Sequence, residues 1–212
     1  MSDVTRWVKV GVAMESAAAS DKTISAITLA NPGVVSSTAH GYSDGDYVRF
    51  NISGGMPQLN GRVIRVSAKT TDAWTLEGLS TSSYDAFTEG VANKLTFGTA
   101  FDSLMGISPA GGEQQYANYR LIHGNDEQQI PTFRANQRYT FKSLWDPANA
   151  ALIAAEAAAD AGTEKAFKIT FSNGKIFVVS GFVEATLAPA GTELVECEIG
   201  FNCKGRGKAY AS

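Results

Sequence analysis

The feature that most constrains the fold is a pair of apolar runs joined by Asn173-Gly174. The first run, Lys165 to Phe171, alternates apolar and polar residues, which is the period of a strand buried on one face. An Asn-Gly pair favours a type I′ turn, because both central residues of that turn need positive φ. The chain is therefore predicted to fold back here as an antiparallel hairpin. With a two-residue loop, Phe171 is predicted to lie opposite Ile176.

The returning run, Lys175 to Leu187, is apolar on both of its faces. Phe177, Val179 and Val183 occupy the second face. A strand of this kind has to be covered on two sides, as in sheets that carry a helix or a second sheet on each face. The hairpin is therefore predicted to lie between a helix and another sheet.

The segment before the hairpin is predicted to be that helix. Asp146 is predicted as its N-cap with Pro147 in the first turn, and Gly162 is predicted to end it. The residues between are mostly alanine, with Leu152 and Ile153 as the large apolar side chains, so the helix is marginal in water by itself. It must dock on the sheet. The predicted fold class is mainly β, a β-sandwich or barrel with one packed α-helix.

Composition excludes several classes of function. Hydrophobic residues make up 44% of the chain, but charged residues only 18%, below the roughly 25% of an average protein, so partners are expected to cover part of the surface. A net charge of −3 argues against holding nucleic acid through a basic face. No apolar run is long enough to span a bilayer and the N-terminus has no secretory pattern. We therefore expect a protein made and kept in the cytoplasm, with no membrane partner.

The cysteines and histidines predict no chemistry. Cys197 and Cys203 fall on one strand, on the order of 20 Å apart, which is too far for a disulfide, and both are interpreted as buried apolar residues. The spacing of metal ligands is absent, as are a P-loop, a GxGxxG motif and a Ser-His-Asp order. We therefore expect no catalytic residue, no metal and no cofactor. A glycan hydrolase using Glu196 and Glu198 stays as an alternative, although acid pairs on one strand face are usually only solvated.

The first ninety residues predict two different units. Val8, Val10 and Val12 alternate and predict a short strand, followed by a connection over residues 13–22. Residues 23–90 contain short apolar runs separated by turn clusters, which predicts an inserted small all-β module. The predicted domains are residues 1–22 with 91–212, which are discontinuous, and residues 23–90. His40 opens a turn in the module and is given a structural role.

Four sequence blocks support the module. They include HGYSDGDYVRF, GGMPQLNGRVIRV, AWTLEGL and TSSYDAFTEG, in this order. The blocks resemble a small β-barrel module that recurs in phage tail proteins and is similar to one in ubiquitin-activating enzymes. The resemblance implies the fold of that module and none of the enzyme's chemistry.

The tract from Thr99 to Gln137 is predicted to be irregular, yet it is too apolar for disorder. Long loops of this kind are usually functional, and exposed apolar loops indicate a partner surface. The alternative is that the tract folds back as an extra hairpin on its own sheet. The candidate contact residues are Phe101, Leu104, Met105, Tyr116, Tyr119, His123, Ile130, Pro131 and Phe133.

Several parts of the chain resemble the major tail tube proteins of long-tailed, lambda-like bacteriophages. The matching parts are YTFKSLWDPANAALIAA, AFKITFSNGKIFVVSGFV, the final strand from Glu193 to Cys203, and the residues Ile122, His123, Ile130 and Pro131. Thr132 departs from the glycine that is usual after the Ile-Pro pair. The resemblance implies a structural virion protein of the tail, assembled in the host cytoplasm. The alternative is a tube subunit of a contractile injection or secretion system, which would share the fold.

The resemblance also implies partners. Copies of the chain would form hexameric rings, stacked into a tube through which DNA passes without specific binding during ejection. The other implied partners are the tape measure protein, the tail terminator and the distal tail protein. Ring closure would abolish exposed strand edges, and a head-to-tail contact would generate the stack.

The resemblance further implies roles for particular residues. The candidate contact residues of the tract would join neighbouring rings. An acidic lumen would repel phosphate and let DNA slide, so Glu196 and Glu198, on the polar face of the last strand, are predicted to face the lumen. The inserted module would lie outside the tube. Two terminal arms, carrying Trp7 at one end and Lys204, Arg206 and Lys208 at the other, would become ordered only in the stack.

Overall fold

The computed structural model describes residues 9–211, which fold into strands and one helix. The helix, α1, is Ala150–Asp160, and a 3₁₀ turn covers Pro57–Leu59. The strands are β1 Gly11–Ala18, β2 Lys22–Thr23, β3 Ala26–Ile27, β4 Val34–Ser36, β5 Tyr47–Gly55, β6 Val63–Ser67, β7 Ala73–Leu76, β8 Phe87–Ala100, β9 Leu104–Gly111, β10 Gln114–Tyr119, β11 Gln128–Arg134, β12 Gln137–Leu144, β13 Glu164–Thr170, β14 Ile176–Ala185, β15 Glu196–Cys203 and β16 Lys208–Tyr210.

Fourteen of these strands form one continuous sheet. Its order is β3-β4-β7-β6-β5-β8-β1-β13-β14-β15-β12-β9, with β2 added on β8 and β16 on β14. The strand pairs are antiparallel, and β10 and β11 form a separate two-stranded ribbon. The prediction of a mainly β fold with one packed helix is confirmed.

The first core lies between α1 and the sheet of β1 and β12–β15. Phe167 is at its centre, with ring centroids 5.0 Å from Phe141 and 4.7 Å from Phe201. Leu152 is fully buried, whereas Ile153 points outward and is 50% exposed. The other buried helix residues are Ala151, Ala155 and Ala158. A helix of this composition is therefore stabilised mainly by tertiary packing.

The helix begins later than predicted. Asn149 is its N-cap, and the side-chain oxygen of Asn149 accepts hydrogen bonds from N–H groups of the first turn. Asp146 instead accepts the Ala148 N–H at 2.9 Å and so forms a turn across Pro147. The prediction of Asp146 as N-cap was wrong, because Asp-Pro suits such a turn as well as it suits a helix start. Gly162 closes the helix with φ of 57°, as predicted.

The predicted hairpin forms, but its register differs by one residue. The Phe171 N–H donates to the Lys175 carbonyl at 2.8 Å, so the loop has three residues and ends at Gly174, where φ is 78°. Thr170 therefore lies opposite Ile176, and the predicted pairing of Phe171 with Ile176 was wrong. Three-residue loops of this kind end in a left-handed residue, which glycine accommodates without strain. Side chains alternate between the two faces of a strand. A shift of one residue in the pairing therefore reverses which face of the returning strand lies on the same side as the apolar face of the first strand.

β14 is covered on both faces, as predicted. Val179 and Val183 belong to the first core. Val178 belongs to a different cluster, which lies on the opposite face of the sheet and includes Tyr47 and Tyr210. This cluster, called the third core below, joins β13 and β14 to strands of the predicted module.

A second core fills residues 24–92, with Trp74 and Phe50 among its largest buried side chains. His40 is buried in it. The Nδ1 atom of His40 accepts the Tyr42 N–H at 3.0 Å, so the ring's proton is on Nε2, which donates to the Thr70 carbonyl at 3.0 Å. Both ring nitrogens are therefore used by the backbone, consistent with a structural role.

Two strands, β2 and β8, cross the predicted domain limits. β8 passes through the limit at 90/91 and pairs with both β5 and β1, so the two units share a strand. β1 continues to Ala18, and the expected connection over residues 13–22 was wrong for most of its length. The residues of β1 are mostly small, so no alternation of apolar and polar residues marks this strand in the sequence. The division into residues 1–22 with 91–212 and residues 23–90 stays a prediction.

A buried ion pair also links the two units. Arg49 of β5 donates to the Glu15 carboxylate of β1 at 2.8 Å, and the Ala166 N–H of β13 donates to the same carboxylate at 3.0 Å. Glu15 is only 3% exposed. Burial raises the pKa of Glu15, and the Arg49 charge opposes that rise.

Both cysteines are free and buried, as predicted. Burial raises the pKa of the Cys197 thiol, and raises that of Cys203 to about 12. Within residues 9–211 there is no cluster of acidic, histidine and cysteine side chains that could hold a metal ion. No helix in the described part of the chain is long and apolar enough to cross a membrane.

Candidate assembly interface

The tract from Thr99 to Gln137 is a long β-ribbon, and the expectation of an irregular loop was wrong. β9 and β12 pair at its base, and β10 and β11 continue it beyond the sheet. The Ala135 N–H donates to the Glu113 carbonyl at 2.8 Å and joins the two parts. Gly111 and Gly112 both have positive φ at this junction. The alternative that the tract folds back on its own sheet is met by β9, which pairs with β12. Sequence reasoning missed β10 and β11 because neither face of these two strands is buried, and without a buried face the residues do not alternate.

The ribbon exposes an unusual amount of apolar surface. Several of the predicted contact residues lie on it, namely Tyr116 (56% exposed), Tyr119 (39%), Ile130 (52%) and Phe133 (68%), and Met105 at its base is 46% exposed. His123 and Pro131 are also exposed. Two further residues at the tip, Leu121 and Ile122, were not among the predicted contacts, and Ile122 is 97% exposed. Contiguous exposed apolar side chains of this kind indicate a partner surface.

Two predicted contact residues do not belong to this surface. Phe101 is 6% exposed and lies in the first core, 5.7 Å from the Phe167 ring. Its N–H donates to the Val12 carbonyl at 2.9 Å, which keeps this residue attached to β1. Leu104 is half-buried against the same core. The ribbon surface therefore begins after these residues.

The C-terminal arm is ordered within the single chain. β16 pairs with β14, and Tyr210 is 5% exposed in the third core. The hydroxyl oxygen of Tyr210 accepts the Arg65 N–H at 2.8 Å, and the Arg65 guanidinium lies 4.7 Å from the centre of the Tyr210 ring. Burial raises the pKa of Tyr210. The expectation that this arm is ordered only in a stack was wrong for residues 204–211, whereas Trp7 lies outside the described residues.

The charged residues of the arm have different surroundings. Lys204 forms an ion pair with Glu164 at 2.7 Å, and Lys208 donates to the Gly78 carbonyl. Arg206 is exposed. The arm therefore attaches to the module and to the sheet at the same time, and leaves one guanidinium at the surface.

The outward face of β12, β14 and β15 carries charges of both signs. Lys142 pairs with Glu198 at 3.5 Å, and Arg138 pairs with Glu184 at 2.9 Å. The Glu198 side chain is 60% exposed, and Glu196 is half-buried. This face thus has three carboxylates against two cations and a weakly negative balance.

Comparison with protein families gives a match that covers most of the chain. The family model for the phage tail tube protein (TTP) matches residues 54–212, about three quarters of the chain. The chain belongs to the phage tail tube protein family. It is therefore a structural component of a virion tail and not an enzyme. Comparison with curated proteins finds no match.

Proposed function

We propose that copies of this chain close into hexameric rings, and that the rings stack into a tube through which DNA passes during ejection. Membership of the tail tube family supports a tube, and the exposed apolar ribbon is the observation that carries the proposal of ring stacking. We further propose the tape measure protein, the tail terminator and the distal tail protein as its other partners.

The ribbon is unlike an ordinary surface hairpin. An isolated two-stranded ribbon is marginally stable in water, because it has no third strand or helix to pack against. β11 is exposed along its whole length, and it still carries Ile130 and Phe133. A partner that covers these side chains would stabilise the ribbon and remove apolar surface from water. In a tube made of one protein, that partner is another copy of the chain.

The edge of the sheet supports ring closure. Among the described strands β9 pairs only with β12, so its other edge is open. Open edges are templates for pairing with further chains, and closed rings remove them. Pro109 lies in β9, and proline in a sheet is confined to edges and bulges. We therefore propose that the β9 side of one subunit meets the next subunit in the ring.

We also propose that Glu196 and Glu198 face the lumen. A weakly negative lining would repel DNA phosphates and let the genome slide. The module of residues 23–90 would lie outside, since a domain of that size does not fit in a lumen filled by DNA. Reversal of both glutamates to lysine is expected to leave tubes intact in electron micrographs and to lower infectivity. Unchanged infectivity would contradict the proposed lining.

Shortening of the ribbon tests the stacking role. Replacement of residues 114–134 by Asn-Gly keeps the Glu113–Ala135 closure and removes the exposed apolar surface. We expect this variant to fold with an unchanged core and to yield single subunits or single rings in negative-stain electron microscopy, where the wild-type chain gives tubes.

A substitution elsewhere provides the control. Ile153→Ser removes a side chain that is 50% exposed on α1 and far from the ribbon in sequence. It is expected to leave tube formation unchanged. Tubes of normal length from the shortened variant would show that the ribbon does not join the rings.

A further inference from the structure

A basic cleft lies at the base of the ribbon. It has a volume of about 640 Å³ and lies between the Gly111–Gly112 junction and the loop before β16. Three cations line it, namely Arg134, Lys204 and Arg206, and none of the thirteen lining residues is acidic. This is unexpected in a chain whose net charge is −3. The lining of the cleft is therefore locally basic.

Two of its cations have no carboxylate partner. Lys204 is neutralised by Glu164. Arg134 donates to the neutral amide oxygen of Gln114 at 3.3 Å, and neither Arg134 nor Arg206 forms an ion pair among the described residues. Guanidinium groups bind carboxylates through paired hydrogen bonds, which gives geometric as well as electrostatic specificity. The cleft thus presents two guanidinium groups that are available to carboxylates.

Two free carboxylates lie at the other end of the ribbon. Asp126 and Glu127 are consecutive, exposed, and in no ion pair within residues 9–211. Arg120 also lies at the tip, directly after β10. The group that complements the cleft is therefore the carboxylate pair and not the net charge of the tip. The tip and the base of the ribbon therefore carry complementary groups.

These groups cannot meet within one chain. The chain between Asp126 and Arg134 includes β11, so the two residues are about 25 Å apart at ~3.3 Å per residue. Pairing with β10 holds β11 extended and prevents the tip from folding back onto the base. A contact between tip and cleft must therefore join two copies.

We propose that Asp126 and Glu127 of one subunit bind Arg134 and Arg206 in the cleft of a second subunit. The inference rests on the proposed tube function and specifies one of its contacts. Each subunit has one tip and one cleft, so the contact is head-to-tail and repeats from copy to copy, as a ring or a stack requires. The tip also brings the exposed apolar residues beside it against the second subunit.

Exchange of the charges tests this contact. One variant is Asp126→Arg/Glu127→Arg, and the other is Arg134→Glu/Arg206→Glu. Each variant alone is expected to lose tube mass by about tenfold or more in a sedimentation assay, because like charges then face each other across the contact. An equimolar mixture of the two is expected to restore tubes, since the reversed tip of one fits the reversed cleft of the other and the native tip fits the native cleft.

A module variant controls for net charge. Asp85→Arg/Glu89→Arg changes the charge by the same amount as the tip variant, on exposed residues outside the ribbon. It is expected to form tubes like the wild-type chain. The folded state of every variant is checked by far-UV circular dichroism before assembly.

The outcomes separate the inference from the function on which it rests. If the wild-type chain forms tubes and both reversed variants do so equally well, or if the mixture fails to restore assembly, the tip does not bind the cleft and the inference is overturned while the tube function stands. If the wild-type chain forms no ring or tube at any attainable concentration, the proposed function fails and the inference fails with it.

Discussion

Loss of the Glu15 side chain is expected to destabilise both units of the chain together. Glu15→Ala removes the carboxylate that accepts hydrogen bonds from Arg49 at 2.8 Å and from the Ala166 N–H at 3.0 Å. The Arg49 side chain is 15% exposed and would keep its charge without that partner. Because the ion pair joins β1 to β5, its loss weakens the attachment of the module as well as the sheet.

The expected cost follows from this burial. Removal of one partner of a buried ion pair typically costs about 3–5 kcal/mol, because a charge is left unpaired. In a chain of this size 1 kcal/mol shifts Tm by roughly 2–4 °C, so Tm is expected to fall by about 6–20 °C. The double variant Glu15→Ala/Arg49→Ala leaves no unpaired charge. Its cost is expected to be smaller than the sum of the single costs by about 1–3 kcal/mol.

Urea unfolding followed by tryptophan fluorescence measures these costs. Trp74 lies in the second core and Trp145 packs against the first, so each reports on its own unit in a variant whose other two tryptophans are replaced by phenylalanine. Lys142→Ala provides the control. It breaks an ion pair whose side chains are more than half exposed, and it is expected to cost about 1 kcal/mol or less.

The pH dependence gives a second check on Glu15. Burial raises the pKa of Glu15 above its ordinary value of 4.5. As the pH rises, Glu15 therefore loses its proton at a lower pH in the unfolded chain than in the folded chain. The Glu15 contribution to stability is therefore greatest below pH 4.5 and decreases as the pH rises towards the folded pKa. The Ala variant should lack this decrease. A coupling energy below about 0.5 kcal/mol between Glu15 and Arg49, the usual error of additivity, would refute the ion-pair reasoning.

Three further predictions concern the helix cap, a thiol and the C-terminal strand. Asn149→Ala is expected to cost about 1 kcal/mol by urea unfolding, and more than Asp146→Ala, because Asn149 is the N-cap; a larger cost for Asp146 would contradict this assignment. Cys203, with a pKa raised by burial to about 12, should react slowly with iodoacetamide at pH 8. Because the unfolded thiol ionises first, stability should fall as pH rises above about 8.5, and rapid labelling without unfolding would contradict its burial. Tyr210→Phe should cost about 1–3 kcal/mol because it leaves the Arg65 N–H without its acceptor, and Tyr210→Ala about 3–5 kcal/mol; a Tyr210→Phe variant as stable as the wild-type chain would mean that the hydroxyl contributes nothing.

Local chemistry was enough to predict which elements form in the central part of the chain. The apolar alternation before Asn173-Gly174 predicted the hairpin, and Gly162 correctly predicted the helix end. These signals act over a few residues and depend little on the rest of the fold. The start of the helix was predicted wrongly, because Asp146 and Asn149 both have side chains that suit an N-cap. The hairpin register likewise depended on whether the loop had two residues or three.

The candidate interface shows the other limit of sequence reasoning. An apolar partner surface between Thr99 and Gln137 could be predicted from its residue types, and a hairpin on the sheet was one of the two alternatives. The extension of β10 and β11 beyond the sheet could not be predicted, since neither face of these strands is buried. Phe101 looks the same in sequence as Phe133, yet the first lies in the core and the second on the ribbon.

The amino-acid sequence by itself determined the fold class, the central helix and hairpin, and the resemblance to tail tube proteins, because periodicity, turns and caps are local properties of the chain. Only the tertiary structure decided the pairing of Glu15 with Arg49, the docking of Tyr210 under Arg65, and the opposite charges at the two ends of the ribbon. Those relations join residues far apart in the chain, and no local pattern specifies which distant side chains a folded sheet brings together.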